Sequence, residues 1–409
     1  MTFSIYNLPL CSVEPKLRSF TKHSISGWKK EPPNASLRII PVEGRRALNR
    51  FIRVPWSIYA DDTVWPPPLL MERRRHLSPR NPYFAHAVCC SWIAYRGTRA
   101  VGRISAQIDE LHIRRYQDAT GFFGMLEAED EAETFQALTN TAEGWLRGKG
   151  MRRILGPFNL SINQESGLLV EGFDTPPSIM MGHSRPYYGT RMEEQGYQKE
   201  KDLLAYIVQI GFDLPTFAQK LMARTTQDLR VRPLRKSRFS EEMEILQDLY
   251  EDAWSQNWGF IPFTRAEFKQ LGNEIKFLAN ERFIQIAEVK GNAAAMIVVV
   301  PNLNEAIRDL NGRLFPFRCL KLLWRLKVSH LKSARVPLMG VRRCYHNSLL
   351  GSALAFMVID AVRAPAAKHG IRKVEMSWIL EDNMGMRNII ESIGGKAYKR
   401  YRIYSKELI

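Results

Sequence analysis

The sequence predicts an α/β (α+β) protein built from two similar units in tandem, each a mixed, twisted sheet flanked by helices. Its 409 residues suffice for two domains that each bury a core. Hydrophobic residues make up 45% and charged residues 25%, as in ordinary soluble proteins. The same order of elements also occurs twice, once on each side of a basic, proline-containing stretch at 230–240.

Glycine positions carry the evidence for the duplication. KGMRRI at 149–154 and HGIRKV at 369–374 each read as a helix end followed by a strand, and Gly150 and Gly370 stand where a helix favours a left-handed residue. A second glycine, in a Glu-x-x-Gly sequence, precedes a tyrosine by ten residues in each half: Gly196 and Tyr206, then Gly394 and Tyr404. Two coincidences in the same order favour a duplicated unit.

The remaining elements follow from local patterns. SWIAYRGTRAVGRISAQI and FIQIAEVKGNAAAMIVVV read as hairpins that turn at Gly97 and Gly291. TFQALTNTAEGWLR and SALAFMVIDAVRAPAAKH read as helices, the second kinked at Pro365. Each half therefore runs strand, strand, strand, helix, strand, helix, strand.

These patterns divide the chain into four parts. Residues 1–36 are polar and aperiodic and are expected to be a poorly structured extension. The first unit spans 37–215, a basic linker spans 216–240, and the second unit spans 241–409.

Charge and cysteine usage limit the functional classes. The net charge of +17 fits nucleic acid, an anionic membrane, a phosphorylated ligand, or a merely basic soluble protein. No apolar run reaches the roughly 18 to 20 residues that cross a bilayer, and the N-terminus lacks a signal-peptide pattern. Five cysteines without metal-ligand spacing are expected to be reduced thiols in a cytoplasmic protein.

The element order, with a basic, glycine-containing turn before the central helix, resembles the GNAT superfamily of acyl-CoA-dependent N-acyltransferases. The ending EDNMGMRNIIESIGGKAYKRYRIYSKEL resembles the close of a GNAT domain. Two blocks, GPFNLSINQESGLLVEGFDTPPSIMMGHSRPYY and AWSQNWGFIPFTRAEF, resemble the bacterial ceramide synthase family. Members of that family join a fatty acyl-CoA to the amine of a sphingoid base.

The resemblance implies tandem GNAT-like domains and an N-acyltransferase that makes ceramide or dihydroceramide from sphinganine or 3-oxosphinganine. Long-chain acyl-CoA is the expected donor substrate, with no permanently bound cofactor and no metal. Such an enzyme is expected in the cytoplasm, peripherally associated with the inner membrane.

Acyl-CoA phosphates need backbone N–H groups at a helix start and nearby basic side chains. The second half offers both after its central strand, where Ser348-x-x-Gly351-x-Ala353 keeps the small residues of the GNAT phosphate loop. The candidate donor-binding residues are Arg342, Arg343, Leu350, Gly351, Ser352, Ala353 and Asn383, with Ser352 as a possible helix cap. An ordinary capped helix beside a basic turn is the alternative. The first half has carboxylates at 127–133, which repel phosphate, so we expect it to be degenerate for CoA.

The first half carries about 22 additional residues. Gly150 and Gly196 are 46 residues apart, whereas Gly370 and Gly394 are 24 apart. The surplus falls in the stretch 156–188, whose length and aromatic content predict an ordered, functional loop that forms the acceptor site.

Several polar and aromatic residues are candidates for the acceptor site. Glu165 and His183 are alternative general bases, and each is also explained by a structural role. The usual GNAT tyrosine acid is replaced by Ile390. The candidate substrate-binding residues are Asn159, Asn163, Gln164 and Tyr187 of the loop, and Trp254, Trp258 and Phe260 of an aromatic cluster whose alternative role is packing.

Residues 314–327 alternate apolar and basic side chains at near-helical spacing, as helices at an anionic membrane surface do. An amphipathic helix packed on its own domain is the alternative. A nucleic-acid partner is not expected, because no helix-turn-helix, zinc-finger or RNP-like pattern is found. A tandem GNAT transferase acting on another lipid or cell-wall amine, with charged tRNA as donor, remains open.

Overall fold

The computed structural model describes residues 36–224, 228–278, 280–329 and 331–408. All but the last residue of the predicted extension 1–36 lies outside these ranges. The elements of the first half are β1 (Leu37–Pro41), α1 (Gly44–Ile58), α2 (Leu70–His76), β2 (Ala87–Arg96), β3 (Arg99–Asp109), α3 (Glu110–Tyr116), β4 (Thr120–Ala128), α4 (Ala132–Gly148), β5 (Arg153–Gly156), β6 (Phe158–Asn159), β7 (Glu165–Ser166), β8 (Leu168–Glu171), α5 (Tyr188–Glu194) and β9 (Gln198–Gln209).

The second half repeats the order of the strands without the three short strands β6 to β8, and it has two more helices than the first half. Its elements are α6 (Thr216–Arg224), β10 (Leu229–Pro233), α7 (Phe239–Trp254), α8 (Arg265–Leu278), β11 (Ile284–Val289), β12 (Asn292–Pro301), α9 (Leu303–Ile307), α10 (Arg318–Trp324), β13 (Ser333–Val341), α11 (Leu349–Lys368), β14 (Lys373–Leu380), α12 (Met384–Ser392) and β15 (Lys396–Glu407). The predicted fold class is confirmed. The predicted series of elements is present in each half, but the strand and helices that precede each hairpin, and the helices between the second and third predicted strands, are not part of that series.

The described residues of the segment 216–240, which is predicted as a linker, are folded. It contains α6, strand β10 and a short 3₁₀ turn, and β10 pairs with β11 at the edge of the sheet. A basic, proline-bearing composition suits an edge strand as well as a linker, because an edge strand tolerates proline and charge.

One mixed sheet runs through both halves. Its strand order is β1-β2-β3-β4-β5-β15-β9-β14-β13-β12-β11-β10, and β8 also pairs with β15. The order is symmetric about its centre, and the two closing strands are exchanged: β15 pairs with β5 of the first half, and β9 pairs with β14 of the second. Each half therefore completes the sheet of the other.

The glycines behave as the sequence predicts. Gly150 has a φ of +83° and Gly370 a φ of +82°, directly after α4 and α11. Gly196 and Gly394, after α5 and α12, both have a φ of +81°. Only glycine adopts these angles without strain, so each marks a helix end.

Helix α11 packs on the sheet of the second half. It is the one described helix with the length and apolar composition to cross a membrane. Nine of its residues are buried, and seven of these, among them Leu354, Phe356 and Ile359, belong to the core of the second half, which accounts for the apolar composition.

Candidate active site

The central parallel strands separate in both halves. Strands β13 and β14 pair with each other from Ser333 and Lys373 as far as Val336 and Met376. Beyond these residues both strands continue, but they no longer pair with each other. Strands β4 and β5 pair only at Thr120 to Phe122 with Arg153 to Leu155. We call each opening the cleft of its half.

The first-half cleft is filled by the chain itself. Strand β6 lies against β3 and β4. Gln107 Nε2 of β3 donates to Phe158 O at 2.7 Å, and the Met125 amide of β4 donates to Asn159 Oδ1 at 2.7 Å. A Cβ at Gly124 would lie 1.8 Å from Phe158 O. The backbone of β6 thus occupies the space between the strands.

The carboxylates that follow β4 are also engaged. Glu127 is buried and accepts hydrogen bonds from Tyr59 at 2.7 Å and Tyr188 at 2.9 Å. Burial raises the pKa of Glu127, although Arg103 and the two hydroxyls oppose this. Glu129 pairs with Arg96 and Arg99. Glu127 and Glu129 are therefore both engaged by partners within the first half.

The second half has a different loop at the equivalent place. The Ser348 hydroxyl caps α11 by accepting from the Gly351 amide at 3.0 Å. Ser352 was predicted as the cap, but it lies inside the helix, and its amide bonds to Ser348 O at 3.2 Å. A Cβ at Gly351 would lie 2.1 Å from Tyr345 O, so only glycine fits this turn.

The predicted donor-binding side chains have partners of their own. Arg342 donates to Ala293 O at 2.6 Å and pairs with Asp248. The Arg343 guanidinium lies 3.7 Å from Asp252 and is 44% exposed beside the start of α11. Of the other candidates, Leu350 packs against the core, Ala353 is buried, and Asn383 caps α12 by accepting from the Met386 amide.

The loop 156–188 is ordered and contacts the second half. Asn163 donates to Ile261 O at 2.9 Å and accepts from the Tyr250 hydroxyl at 2.7 Å. Further along, the Ile179 amide donates to Asn302 Oδ1 at 2.9 Å. The surplus residues of the first half are therefore an interface segment.

A buried arginine joins this loop to the second-half cleft. Arg335 of β13 is 1% exposed and donates to Ile179 O at 3.1 Å and to Ser377 O at 3.1 Å. Its guanidinium lies 4.7 Å from the Trp378 ring centroid and 3.7 Å from Glu375 Oε1. The loop of the first half thus contacts the second half at the end of the paired part of β13 and β14, next to the point where the two strands separate.

Glu165 is held by two partners. Its Oε1 lies 2.8 Å from Arg73 Nη2, and its Oε2 accepts from Asn159 Nδ2 at 2.8 Å. Burial alone would raise the pKa of this carboxyl group, but Arg73, Asn159 and His76 outweigh burial and lower the pKa to about 2. Glu165 is therefore an ionised group with a weak tendency to accept a proton.

His183 has one occupied and one unoccupied ring nitrogen. Its Nε2 lies 2.8 Å from Asp62 Oδ2, and its side chain is 3% exposed. Its Nδ1 is buried and has no hydrogen-bond partner among the described residues. Burial lowers the pKa of the imidazole despite Asp62, so the ring is neutral near pH 7.

Lys399 binds the loop from the other side. It is 2% exposed, and its ammonium donates to Gly172 O and, at 2.7 Å, to Thr175 O. Burial lowers the pKa of Lys399 to about 8, although Glu375 opposes this. Loop, cleft and strand β15 therefore share one buried polar region.

The aromatic candidates lie where the halves meet. Tyr250 is surrounded by Trp254, Phe260 and Phe263 at centroid distances of 5.1 to 5.4 Å. Trp258 lines a small cavity of about 20 Å³ with residues of both halves. These contacts are packing contacts at the edge of the site.

Two other loop candidates differ in position. Gln164 has a buried Oε1 without a partner among the described residues. Tyr187 donates to Ala128 O at 2.8 Å. It lines an open pocket of about 460 Å³ in the first half, which is distinct from the first-half cleft. The structure does not bring Tyr187 to the second-half cleft.

The segment 314–327 is a surface element. Helix α10 lies in it, and Phe315, Phe317, Leu320 and Trp324 are between 58% and 76% exposed. The opposite side packs through Leu314 and Leu322 on a cluster of Leu69, Ile307 and Leu310. One face of the segment packs on residues of both halves, and the other is apolar and open to solvent.

Comparison with known proteins decides the family. The chain is 47% identical over 378 residues to the protein named bacterial ceramide synthase of Caulobacter vibrioides, covering 92% of this chain and 98% of that protein. The chain belongs to the bacterial ceramide synthase family. It is also 50% identical over 364 residues to protein YghO of Escherichia coli, covering 88% and 93% of the two chains. No family model matches the chain.

Solved structures confirm the fold of this ceramide synthase family member. A tandem GNAT protein from the clavulanic acid biosynthesis pathway has a TM-score of 0.54 at 13% identity, over 91% of this chain and 99% of its own. A GCN5-related N-acetyltransferase from Sphaerobacter thermophilus has a TM-score of 0.52 at 12% identity, over 90% and 96%. With the family, this confirms the prediction that the chain is an N-acyltransferase.

Four residues of the candidate site are not predicted by the sequence: Asp62, Arg73, Arg335 and Glu375. Arg73 stands in the run MERRRH, which has the composition of a solvated basic turn. Asp62 stands in an acidic pair, which gives no sign of a histidine partner. The sequence gives a signal only for the two strand residues. Arg335 and Glu375 are charged residues that stand next to apolar residues on β13 and β14.

Proposed function

We propose that the protein transfers a long-chain fatty acyl group from acyl-CoA to the amine of a sphingoid base, sphinganine or 3-oxosphinganine, in sphingolipid biosynthesis. The observation that carries the proposal is the contact of Arg335 with Ile179 and Met180, which brings the first-half loop next to the second-half cleft. The name of the Caulobacter relative supports the choice of acceptor.

The donor site is assigned to the second half. Amide groups at the start of α11 suit phosphate, and Arg343, whose guanidinium is 44% exposed, precedes this helix by six residues. The turn from Leu350 to Ala353 supplies this helix start. The first half is excluded as donor site because β6 fills its cleft and carboxylates surround it.

The acceptor site is assigned to the loop of the first half. Gln164 presents a buried carbonyl without a partner, and Asn163 connects the loop to the aromatic cluster at Tyr250. These groups suit the hydroxyl and amine groups of a sphingoid head, and Trp254, Trp258 and Phe260, which pack at the edge of the site, are the proposed apolar contacts of the alkyl chain.

The reaction is an aminolysis of a thioester. The ammonium group loses one proton to a base, and the amine nitrogen then forms a bond to the thioester carbonyl carbon. The carbon–sulfur bond breaks as CoA leaves with the second nitrogen proton. A thiol has a pKa near 8.5, so the leaving group needs little help, in keeping with Ile390 at the place of the usual tyrosine.

Both substrates partition into membranes, so we assign the enzyme to the cytoplasmic face of the inner membrane. The exposed residues of 314–327 and the net charge of +17 are complementary to an anionic bilayer. We call the exposed apolar residues Phe315, Phe317, Leu320 and Trp324 the apolar patch.

Mass spectrometry of products tests the proposal. Purified protein receives mixed acyl-CoAs and sphingoid bases, and the expected products are N-acylated sphingoid bases with stoichiometric release of CoA. The proposal is contradicted if acyl-CoA stays intact, and in particular if product forms only when charged tRNA replaces it.

A further inference from the structure

We propose that Asp62 and His183 form the proton-accepting pair of the acyl transfer, in which His183 Nδ1 takes the proton from the ammonium group and Asp62 is the positioning residue. The inference rests on the proposed function. It distinguishes between the two candidate bases, since it gives Glu165 a binding role only.

The hydrogen bonds fix the tautomer of His183. A carboxylate only accepts, so the Nε2 atom that lies 2.8 Å from Asp62 Oδ2 carries the ring proton. The lone pair is then on Nδ1, which is buried and has no partner among the described residues. Buried nitrogen atoms are rarely left unpaired, so an unpaired one marks a functional position.

Asp62 is itself held in place. Its Oδ1 accepts from the Val64 amide at 2.9 Å and from the Trp65 amide at 3.2 Å, which leaves Oδ2 for His183. Burial raises the pKa of Asp62, but these bonds and His183 outweigh burial and lower it. Asp62 therefore stays ionised and stabilises the imidazolium that forms when Nδ1 takes a proton.

The loop segment that carries His183 contacts the second half. Two residues earlier, Met181 Sδ accepts from the Ser377 hydroxyl at 3.4 Å, and the preceding carbonyls of Ile179 and Met180 bind Arg335. The chain between Met181 and His183 spans at most about 7 Å. His183 therefore belongs to the loop segment that contacts the second half through Met181.

The charges around His183 come from three elements. Asp62 follows α1, Arg185 belongs to the same loop as His183, and Lys399 comes from β15. The Tyr59 ring at the end of α1 lies 5.4 Å from the imidazole, centroid to centroid. The positive charges of Arg185 and Lys399 disfavour protonation of His183, and the negative charge of Asp62 favours it. Removing the charge of Asp62 should therefore lower the pKa of His183.

Glu165 lacks the features of a base. Both of its oxygens have partners, and one partner, Arg73, carries a permanent positive charge. A carboxylate in this setting holds other groups in place. Glu165 is therefore better suited to accept hydrogen bonds from the head group of the sphingoid base than to take up a proton.

The proton balance is complete without a further reactant. His183 Nδ1 receives one ammonium proton, the amine attacks, and the second nitrogen proton leaves with CoA as its thiol. His183 then releases its proton to water, which returns the neutral ring for the next cycle.

The test compares Asp62→Asn and His183→Asn with Asp61→Asn, the neighbouring aspartate, whose side chain is 82% exposed. We expect both pair variants to lower kcat on the order of 10²-fold with little change in the KM for acyl-CoA, since general base catalysis contributes 10²-fold or more. Asp61→Asn should behave as wild type. In Asp62→Asn the acid limb of the kcat/KM profile should move to lower pH, because the imidazolium loses its counter-charge. Glu165→Gln should raise the KM for the amine and leave that limb in place.

NMR titration of the His183 ring supplies a readout that does not depend on turnover, and Asp62→Asn should lower its pKa. Wild-type kcat in His183→Asn, or an unchanged titration in Asp62→Asn, overturns the pair while the proposed function stands. If wild-type protein releases no CoA with any sphingoid base, the proposed function fails instead.

Discussion

Leu203 and Tyr401 face each other in the antiparallel pairing of β9 with β15, and each lies seven residues after the glycine that ends the last helix of its half. Equivalent residues of a duplicated unit pair with each other only on a two-fold axis. This pair therefore marks the pseudo-two-fold axis of the sheet, and the exchanged strands lie on either side of it.

The exchange predicts that neither half folds alone. Residues 1–212 without β15 expose the edges of β5 and β9, and residues 213–409 without β9 expose the edge of β14. We expect each fragment alone to lack a cooperative thermal transition, and the two co-expressed fragments to purify as a complex. A monomeric fragment 1–212 with a sharp transition would contradict this.

The tyrosines that the sequence pattern marks in each half make a contact that accompanies the exchange of β9 and β15. The tyrosine found ten residues after each closing glycine donates to the glutamate of the other half: Tyr206 to Glu391 at 2.8 Å, and Tyr404 to Glu193 at 3.2 Å. The spacing predicted a duplication. It could not predict that the tyrosine crosses over, because spacing within one half carries no information about which half supplies the neighbouring strand.

Local features were predictable for a physical reason. Helix ends at Gly150 and Gly370 follow from backbone angles that only glycine adopts easily, and hairpin turns at Gly97 and Gly291 follow from the same property. The candidate site was harder to predict from the sequence because its ion pairs join segments that are distant in the chain. Asp62 and His183, like Arg73 and Glu165, come together only when the loop 156–188 folds back on the first half.

Gly351 provides a steric test of the donor site. Gly351→Ala places a Cβ 2.1 Å from Tyr345 O, so the loop before α11 must move. We expect at least a tenfold weaker affinity for acyl-CoA by calorimetry, about 1.4 kcal/mol. Gly144→Ala in α4, where a Cβ meets no atom within 4 Å, is the matched control and should keep the affinity. Equal affinity in both variants would move the donor site away from α11.

Glu165 predicts an acid-dependent stability. Its pKa is lowered to about 2 in the folded state, so its contribution is complete above the unfolded value of 4.5 and is lost as pH falls toward 2. The shift corresponds to at most about 3 kcal/mol. Chemical unfolding should therefore show wild type more stable than Glu165→Gln at pH 6, with the difference shrinking between pH 4.5 and 2. A difference that stays constant with pH would exclude an ionised Glu165 as its origin.

Phe317 and Trp324 of the apolar patch test the membrane assignment. Their side chains are 76% and 58% exposed, and no other described element covers them. Burying each in a bilayer gives about 1.5–3 kcal/mol, so Phe317→Ser with Trp324→Ser should weaken binding to phosphatidylglycerol vesicles at least about tenfold. Val88→Thr, an exposed apolar position on β2, is the control and should bind as wild type.

The same variant separates membrane delivery from chemistry. The patch lies outside the cleft, so turnover of a water-soluble short-chain acyl-CoA with a short-chain amine should be unchanged, while turnover of vesicle-bound long-chain acceptor should fall with binding. Raised salt should weaken wild-type binding as well, since basic side chains near an anionic surface are screened. Undiminished vesicle binding by the double variant would leave the exposed aromatics without a membrane role and assign the attraction to the net charge alone.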